Sequence, residues 1–132
     1  MDRYQDRTKR YYNTQGPEAI DVDVLEVIPF EGKKQEIEYQ TREFSAVCPF
    51  SGLPDLADVL VRYIPDQKIV ELKSLKYYFV SFRNVGMYQE EITDRIYRDL
   101  EALLTPSFLE VKTVYATRGG IDATCVVRSD KQ

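Results

Sequence analysis

The sequence predicts an α+β domain in which an antiparallel sheet carries two helices on one face. Three observations predict it. Apolar and polar residues alternate through residues 35–47, 57–64 and 108–117, the two-residue period of a half-buried strand. Between these runs, Leu72, Leu75, Phe79 and Phe82 recur at three- and four-residue steps, and so do Tyr88, Ile92, Ile96, Leu100 and Leu103, the period of a helix with one buried face. Arg118-Gly119-Gly120 is a tight reversal that joins the last alternating run to residues 121–128 as a hairpin. The order is two strands, two helices, two strands.

Each element has its local reason. Residues 1–19 are polar and lack a sustained period up to the Asn13-Thr14-Gln15-Gly16-Pro17 turn cluster, so they are expected to form a mobile or docking arm ahead of a single domain over residues 20–132. Ile20, Val22 and Val24 alternate with acids, which predicts a short strand or extended segment ended by Pro29. Glu31-Gly32-Lys33-Lys34 is a turn, after which the strand over residues 35–47 places Ile37, Tyr39 and Thr41 on one face. A turn-rich stretch follows, and residues 57–64 form the second strand, closed by Pro65-Asp66. The first helix spans residues 71–82 and breaks at Arg83-Asn84-Val85-Gly86. The second starts at residue 87 or 88 and runs to residue 104, with Asp94, Arg95, Arg98, Asp99 and Glu101 on its solvated side and Thr105-Pro106 as its stop. Cys125, in the last strand, is expected in the core.

Composition limits the chemistry. The 132 residues suffice for one domain with a real core, and 30% charged against 43% hydrophobic residues is the balance of a soluble globular protein. No apolar run reaches the ~20 residues of a membrane span, and the N-terminus has no apolar stretch of a secretory signal, so a cytoplasmic protein is expected. The chain has no histidine, which removes Ser-His-Asp and Cys-His catalysis, and its two cysteines leave no conventional zinc site. No metal is expected. A net charge of −4 argues against a surface built for nucleic acid.

The segment Phe-Ser-Ala-Val-Cys-Pro-Phe-Ser-Gly-Leu-Pro-Asp, residues 44–55, sets Cys48 in a turn directly after a strand, with Asp55 seven residues on. An accessible, locally stabilised thiolate is a nucleophile, and a carboxyl group within reach shuttles a proton to the species it attacks. A buried structural cysteine is the other reading of the same residues. Lys73 and Lys76, three apart, share one helix face where two cations can receive a phosphate, although a Lys pair is more often a solvated helix edge.

Five motifs in order carry a resemblance: Cys-Pro-x-Ser-Gly-x-Pro-Asp at Cys48 to Asp55, Tyr-Ile-Pro-Asp at Tyr63 to Asp66, Glu-Leu-Lys-Ser-Leu-Lys-Tyr-Tyr at Glu71 to Tyr78, Ser-Phe-Arg-Asn at Ser81 to Asn84, and Arg-Gly-Gly-Ile at Arg118 to Ile121. Together they resemble the nitrile reductases of queuosine biosynthesis, the 7-cyano-7-deazaguanine reductases, over roughly residues 43–121. The resemblance implies a tunnelling fold (T-fold), a ββααββ subunit whose strands join those of neighbours into an oligomeric barrel, and for this chain length a decamer of two pentamers with sites at subunit interfaces. It implies Cys48 as the nucleophile that forms a thioimide with the nitrile and Asp55 as the proton donor. It implies NADPH as the reductant, with Lys73, Lys76, Arg118 and Gly119 toward its phosphates. Glu90, Glu71, Gln89 and Ser74 are implied on the deazaguanine. No direct contact with nucleic acid or membrane is implied.

One position departs from the pattern: Gln89 stands where the family carries histidine, so this side chain keeps a hydrogen bond but cannot titrate. Its expected role is positioning. The competing readings are an amidinotransferase relative that attacks the nitrile of a tRNA-bound base, and a non-catalytic purine-binding module on the same fold. The intact segment Glu71 to Lys76 speaks against the former, and the joint presence of Cys48, Asp55 and Glu90 against the latter.

Overall fold

The computed structural model describes residues 14–130. Tyr4, Lys9, Arg10 and the rest of residues 1–13 lie outside the described residues. Two antiparallel sheets and two helices build the chain. The main sheet has four strands, β2 (Ile37–Val47), β3 (Pro54–Ile64), β5 (Phe108–Arg118) and β6 (Ile121–Arg128), in spatial order β2-β3-β5-β6. A small sheet pairs β1 (Val27–Pro29) with β4 (Lys68–Val70). Between the halves of the main sheet run α1 (Leu72–Val80) and α2 (Gln89–Leu104).

One face of the main sheet is the core. Ala57, Val59, Val61 and Tyr63 of β3 point the same way as Leu109, Val111, Thr113 and Tyr115 of β5, and all are buried. Leu75, Tyr78 and Phe79 of α1 and Ile92, Ile96, Leu100 and Leu104 of α2 cover them. Phe44 joins the layers, with ring centroids 5.9 Å from Phe79 and 5.2 Å from Phe82. Two of the polar groups that enter this core are paired: Thr93 of α2 and Thr113 of β5 share a 2.7 Å hydrogen bond, and Tyr78 donates to Asp99 at 2.7 Å. The opposite sheet face is half-open, with Leu56 and Val126 exposed and Arg62 bridging Glu36 and Glu110.

The antiparallel sheet, the two helices and their order agree with the sequence reading. Differences sit where short-range signals are weak. Two 3-10 turns, Pro17–Ala19 and Val22–Val24, precede the three-residue β1, so the first half of residues 20–30 is not a strand, because the backbone closes locally. The strand β4 was not expected. In α2 the buried stripe ends on Leu104 rather than Leu103, and Tyr88 precedes the helix with 60% of its surface exposed. Thr105 stops α2 in the left-handed region at φ 44, ahead of Pro106. Cys125 is half-buried rather than a core residue, because β6 is an edge strand with a neighbour on one side only. Among the described residues, no helix is long and apolar enough to cross a membrane.

Candidate active site

The site is built by the β2–β3 hairpin. Val47 pairs with Pro54 and Ala46 with Asp55, so residues 48–53 form the loop and the chain returns Asp55 beside the strand end that carries Cys48. This is the physical meaning of the seven-residue spacing. The loop is closed by its own backbone, Cys48 N–H donating to Leu53 O at 2.9 Å and Gly52 N–H to Cys48 O at 2.8 Å, with Gly52 at φ 77 where a side chain would be strained. The Ser81–Gly86 segment braces it from behind. Val47 N–H donates to Val85 O at 3.1 Å, and Gly86 N–H donates to Gln15 O at 2.8 Å, which ties the start of the described chain to the same point. A side chain at Gly86 would meet the Pro49 backbone at 3.3 Å, so the close approach asks for glycine.

Asp55 continues the buried row of β3 by one step, in register with Ala57 and Val59, and is itself buried. A carboxylate here needs a partner, and Arg118 supplies it from the hairpin tip of β5, its guanidinium donating to Asp55 Oδ1. The tip is a two-residue turn with Gly119 at φ 59 and Gly120 at φ 78, conformations that suit glycine. Burial pushes the Asp55 carboxyl above its ordinary range by more than Arg118 pulls it back. At Cys48 the balance is opposite. Burial works upward, yet the amide and hydroxyl of Ser51, the Phe50 amide and the Arg118 guanidinium together hold the thiol below its usual value. One arginine therefore serves both groups. The thiol is shifted down and the carboxyl up, the directions that favour a nucleophile and a proton donor in addition to an electrophilic carbon–nitrogen bond.

Two residues that the sequence does not single out complete the cluster. Tyr115 of β5 pairs with Ala57, diagonally next to Asp55 on the same sheet face, and its buried hydroxyl has no hydrogen-bond partner. Burial raises its phenol well above the usual range, with Asp55, Cys125 and Glu90 adding to the effect. Phe50, on the loop beside Cys48, is 79% exposed. The buried row Asp55, Ala57, Val59 was the available signal for Asp55, but nothing in the sequence distinguishes Tyr115 from a core aromatic.

The remaining expected residues fall in two places. Glu90 and Gln89 open α2, with Glu90 exposed and electrostatically coupled to Tyr115, which sets it on the Asp55 side. Glu71, Lys73, Ser74 and Lys76 lie at the start of α1. Glu71 caps that helix, accepting from Lys73 N–H at 3.0 Å and Ser74 N–H at 2.8 Å, which holds its carboxyl below the usual value. Ser74 is buried and its hydroxyl is committed on both sides, accepting from Glu26 N–H at 3.0 Å and donating to Glu71 O at 2.7 Å. Lys73 and Lys76 are exposed, and Lys76 edges a groove of about 250 Å³ between β2 and α1 lined by Tyr39, Phe44, Leu72, Leu75 and Phe79. Among the described residues, no hydrogen bond or ion pair joins this second group to Cys48 or Asp55. Gly119 sits at the tip beside Arg118 with nothing within 4 Å of the place a side chain would take.

Comparison with known proteins bears on this arrangement. Residues 54–132 match the family described as "QueF-like protein". A Thermotoga petrophila protein named "NADPH-dependent 7-cyano-7-deazaguanine reductase" is 59% identical over 87% of this chain and 85% of its own length. A Caldicellulosiruptor bescii protein of the same name is 52% identical over 98% of each. Among solved structures, the archaeosine synthase QueF-Like in the apo form superposes with a TM-score of 0.65 at 21% identity, covering 76% of this chain and 96% of that one, a likeness of fold.

Proposed function

The chain belongs to the QueF-like family of NADPH-dependent 7-cyano-7-deazaguanine reductases, and from that membership we propose how its own residues reduce the nitrile. Cys48 adds through sulfur to the nitrile carbon, giving a thioimide, while Asp55 gives a proton to the nitrile nitrogen. The observation that carries this reading is the Cys48–Asp55–Arg118 cluster where the ends of two hairpins meet, with the thiol lowered and the carboxyl raised. Arg118 holds Asp55 in place and steadies the thiolate that leaves once the thioimide carbon has been reduced by the first hydride. Glu90 accepts hydrogen bonds from the N–H edge of the base, and Gln89 positions the ring beside it. Glu71 and Ser74 act on the base through the helix start they build.

NADPH supplies the two hydrides that take the nitrile carbon to the amine level. Lys73 and Lys76 fit its phosphates, since both ammonium groups are exposed on neighbouring turns of α1, while Glu71 already occupies the helix N-terminal amides that would otherwise receive an anion. Arg118 and Gly119 approach from the hairpin tip. The separation of the α1 group from Cys48 supports a site shared between subunits. We propose a T-fold decamer of two pentamers, assembled through the open edges of β2 and β6, acting in the cytoplasm without nucleic acid or membrane as partner, and with residues 1–19 as an arm ahead of the catalytic domain 20–132.

The test is to follow loss of NADPH absorbance with 7-cyano-7-deazaguanine against amine formed, for wild type and Cys48→Ala. Two cofactors consumed per amine, abolished by the substitution, is the expected result. A covalent nitrile adduct on Cys48 without oxidation would place the chain with the amidinotransferase relatives instead. Neither oxidation nor adduct would reject the mechanism.

A further inference from the structure

The hydroxyl of Tyr115 is the one buried side-chain polar atom among the described residues that makes no hydrogen bond. Tyr115 is 4% exposed, so bulk water does not reach it in place of a partner. Such an orphan costs stability and is rare in native proteins, and it asks for a reason. Its surroundings narrow that reason. Tyr115 pairs with Ala57 across β5 and β3, and Asp55 is two residues along β3 on the same face, the diagonal position that an aromatic side chain reaches. Asp55 accepts from Arg118 through Oδ1, and among the described residues its Oδ2 accepts from nothing. A donor without an acceptor thus lies next to an acceptor with a free oxygen.

We propose that Tyr115 is a positioning residue for Asp55, its hydroxyl donating to the free Oδ2 once the carboxyl proton has left. While Asp55 is protonated, that oxygen carries the proton aimed at the substrate and the phenol stays unpaired. After transfer, the new anion is held between Arg118 on one oxygen and Tyr115 on the other. The geometry has the phenol act through Asp55 and not on the substrate, because its hydroxyl oxygen is buried. The charged and titratable groups around this pair are Arg118, which faces both Asp55 and Cys48, and Cys125 of β6 and Glu90 of α2, which together with Asp55 face Tyr115. Of these, the Arg118 guanidinium and the Tyr115 hydroxyl are the strong hydrogen-bond donors.

This inference rests on Asp55 as the proton donor, and the experiment separates the two. The readout is the rate of nitrile adduct formation on Cys48 without NADPH, measured across pH for wild type, Asp55→Asn, Tyr115→Phe and the double variant. Wild type should form the adduct, and Asp55→Asn should slow it and erase one limb of the profile; failure of either rejects Asp55 as donor and this inference with it. If both hold, Tyr115→Phe should move that same limb to higher pH, by roughly one pH unit for the loss of a charge-assisted hydrogen bond. In the Asp55→Asn background the same substitution should change the rate less than about twofold. Thermal unfolding of Tyr115→Phe should start no lower than wild type, since the substitution removes an unsatisfied group and keeps the ring. An unmoved limb in a folded Tyr115→Phe protein overturns the inference. So does an additional loss in the double variant, which would put the hydroxyl on the substrate.

Discussion

Arg118 is the residue on which the site's two chemistries meet, because the guanidinium that pairs with Asp55 also holds the Cys48 thiol down. Cys48 should therefore alkylate with iodoacetamide at lower pH than an ordinary thiol. Arg118→Met should move that midpoint upward, since the thiolate loses a donor. The same variant should lower kcat roughly tenfold to a hundredfold, the scale of a lost hydrogen bond to a charged group. An unchanged alkylation midpoint would show that the loop amides of Phe50 and Ser51 suffice. On the proposed roles, with Asp55 moving the proton and Gln89 orienting the ring, Gln89→His should leave turnover within about tenfold. A much larger rise, measured as kcat, would mean that the native chain lacks a proton donor. Cys48 and Asp55 were legible as a pair because a hairpin turns sequence spacing into proximity. Arg118 was legible as a functional cation, but its place over Asp55 depends on a strand pairing 63 residues away in sequence. Tyr115 was illegible: in an alternating strand, an aromatic on the buried face reads as core.

At the level of elements, alternation and helical period located all four strands of the main sheet and both helices, since each has a face buried over many residues. The three-residue strands β1 and β4 have too few positions to show a period, so only the fold reveals them. The start of α1 was legible to within a residue, although its cap is a glutamate rather than the short polar residues that usually mark a helix start. Behind that cap, Ser74 ties residue 26 to α1 through two hydrogen bonds. Ser74→Ala should leave the Glu26 N–H without its acceptor and cost about 1–3 kcal/mol in urea unfolding. The KM for the nitrile should stay within about twofold. A large rise in KM at unchanged stability would instead put the Ser74 hydroxyl on the substrate.

Among the described residues the sheet is half-covered: helices close one face, while β2 and β6 are its outer strands and Leu56, Val126 and Ile121 stay exposed. Light scattering should give about ten times the 15.4 kDa of one chain, and a mass near one chain with full activity would refute an interfacial site. The bracing of the nucleophile loop has a consequence for how the protein comes to life. Residues 15, 47 and 85–86 are far apart along the chain, and the hydrogen bonds joining them close large loops. Contacts of such long range form late in folding. A newly made chain should therefore carry a chemically ordinary thiol until these stitches close. In a refolding experiment, the rise of Cys48 reactivity should lag the appearance of secondary structure, so that the proposed nucleophile keeps time on the chain's maturation.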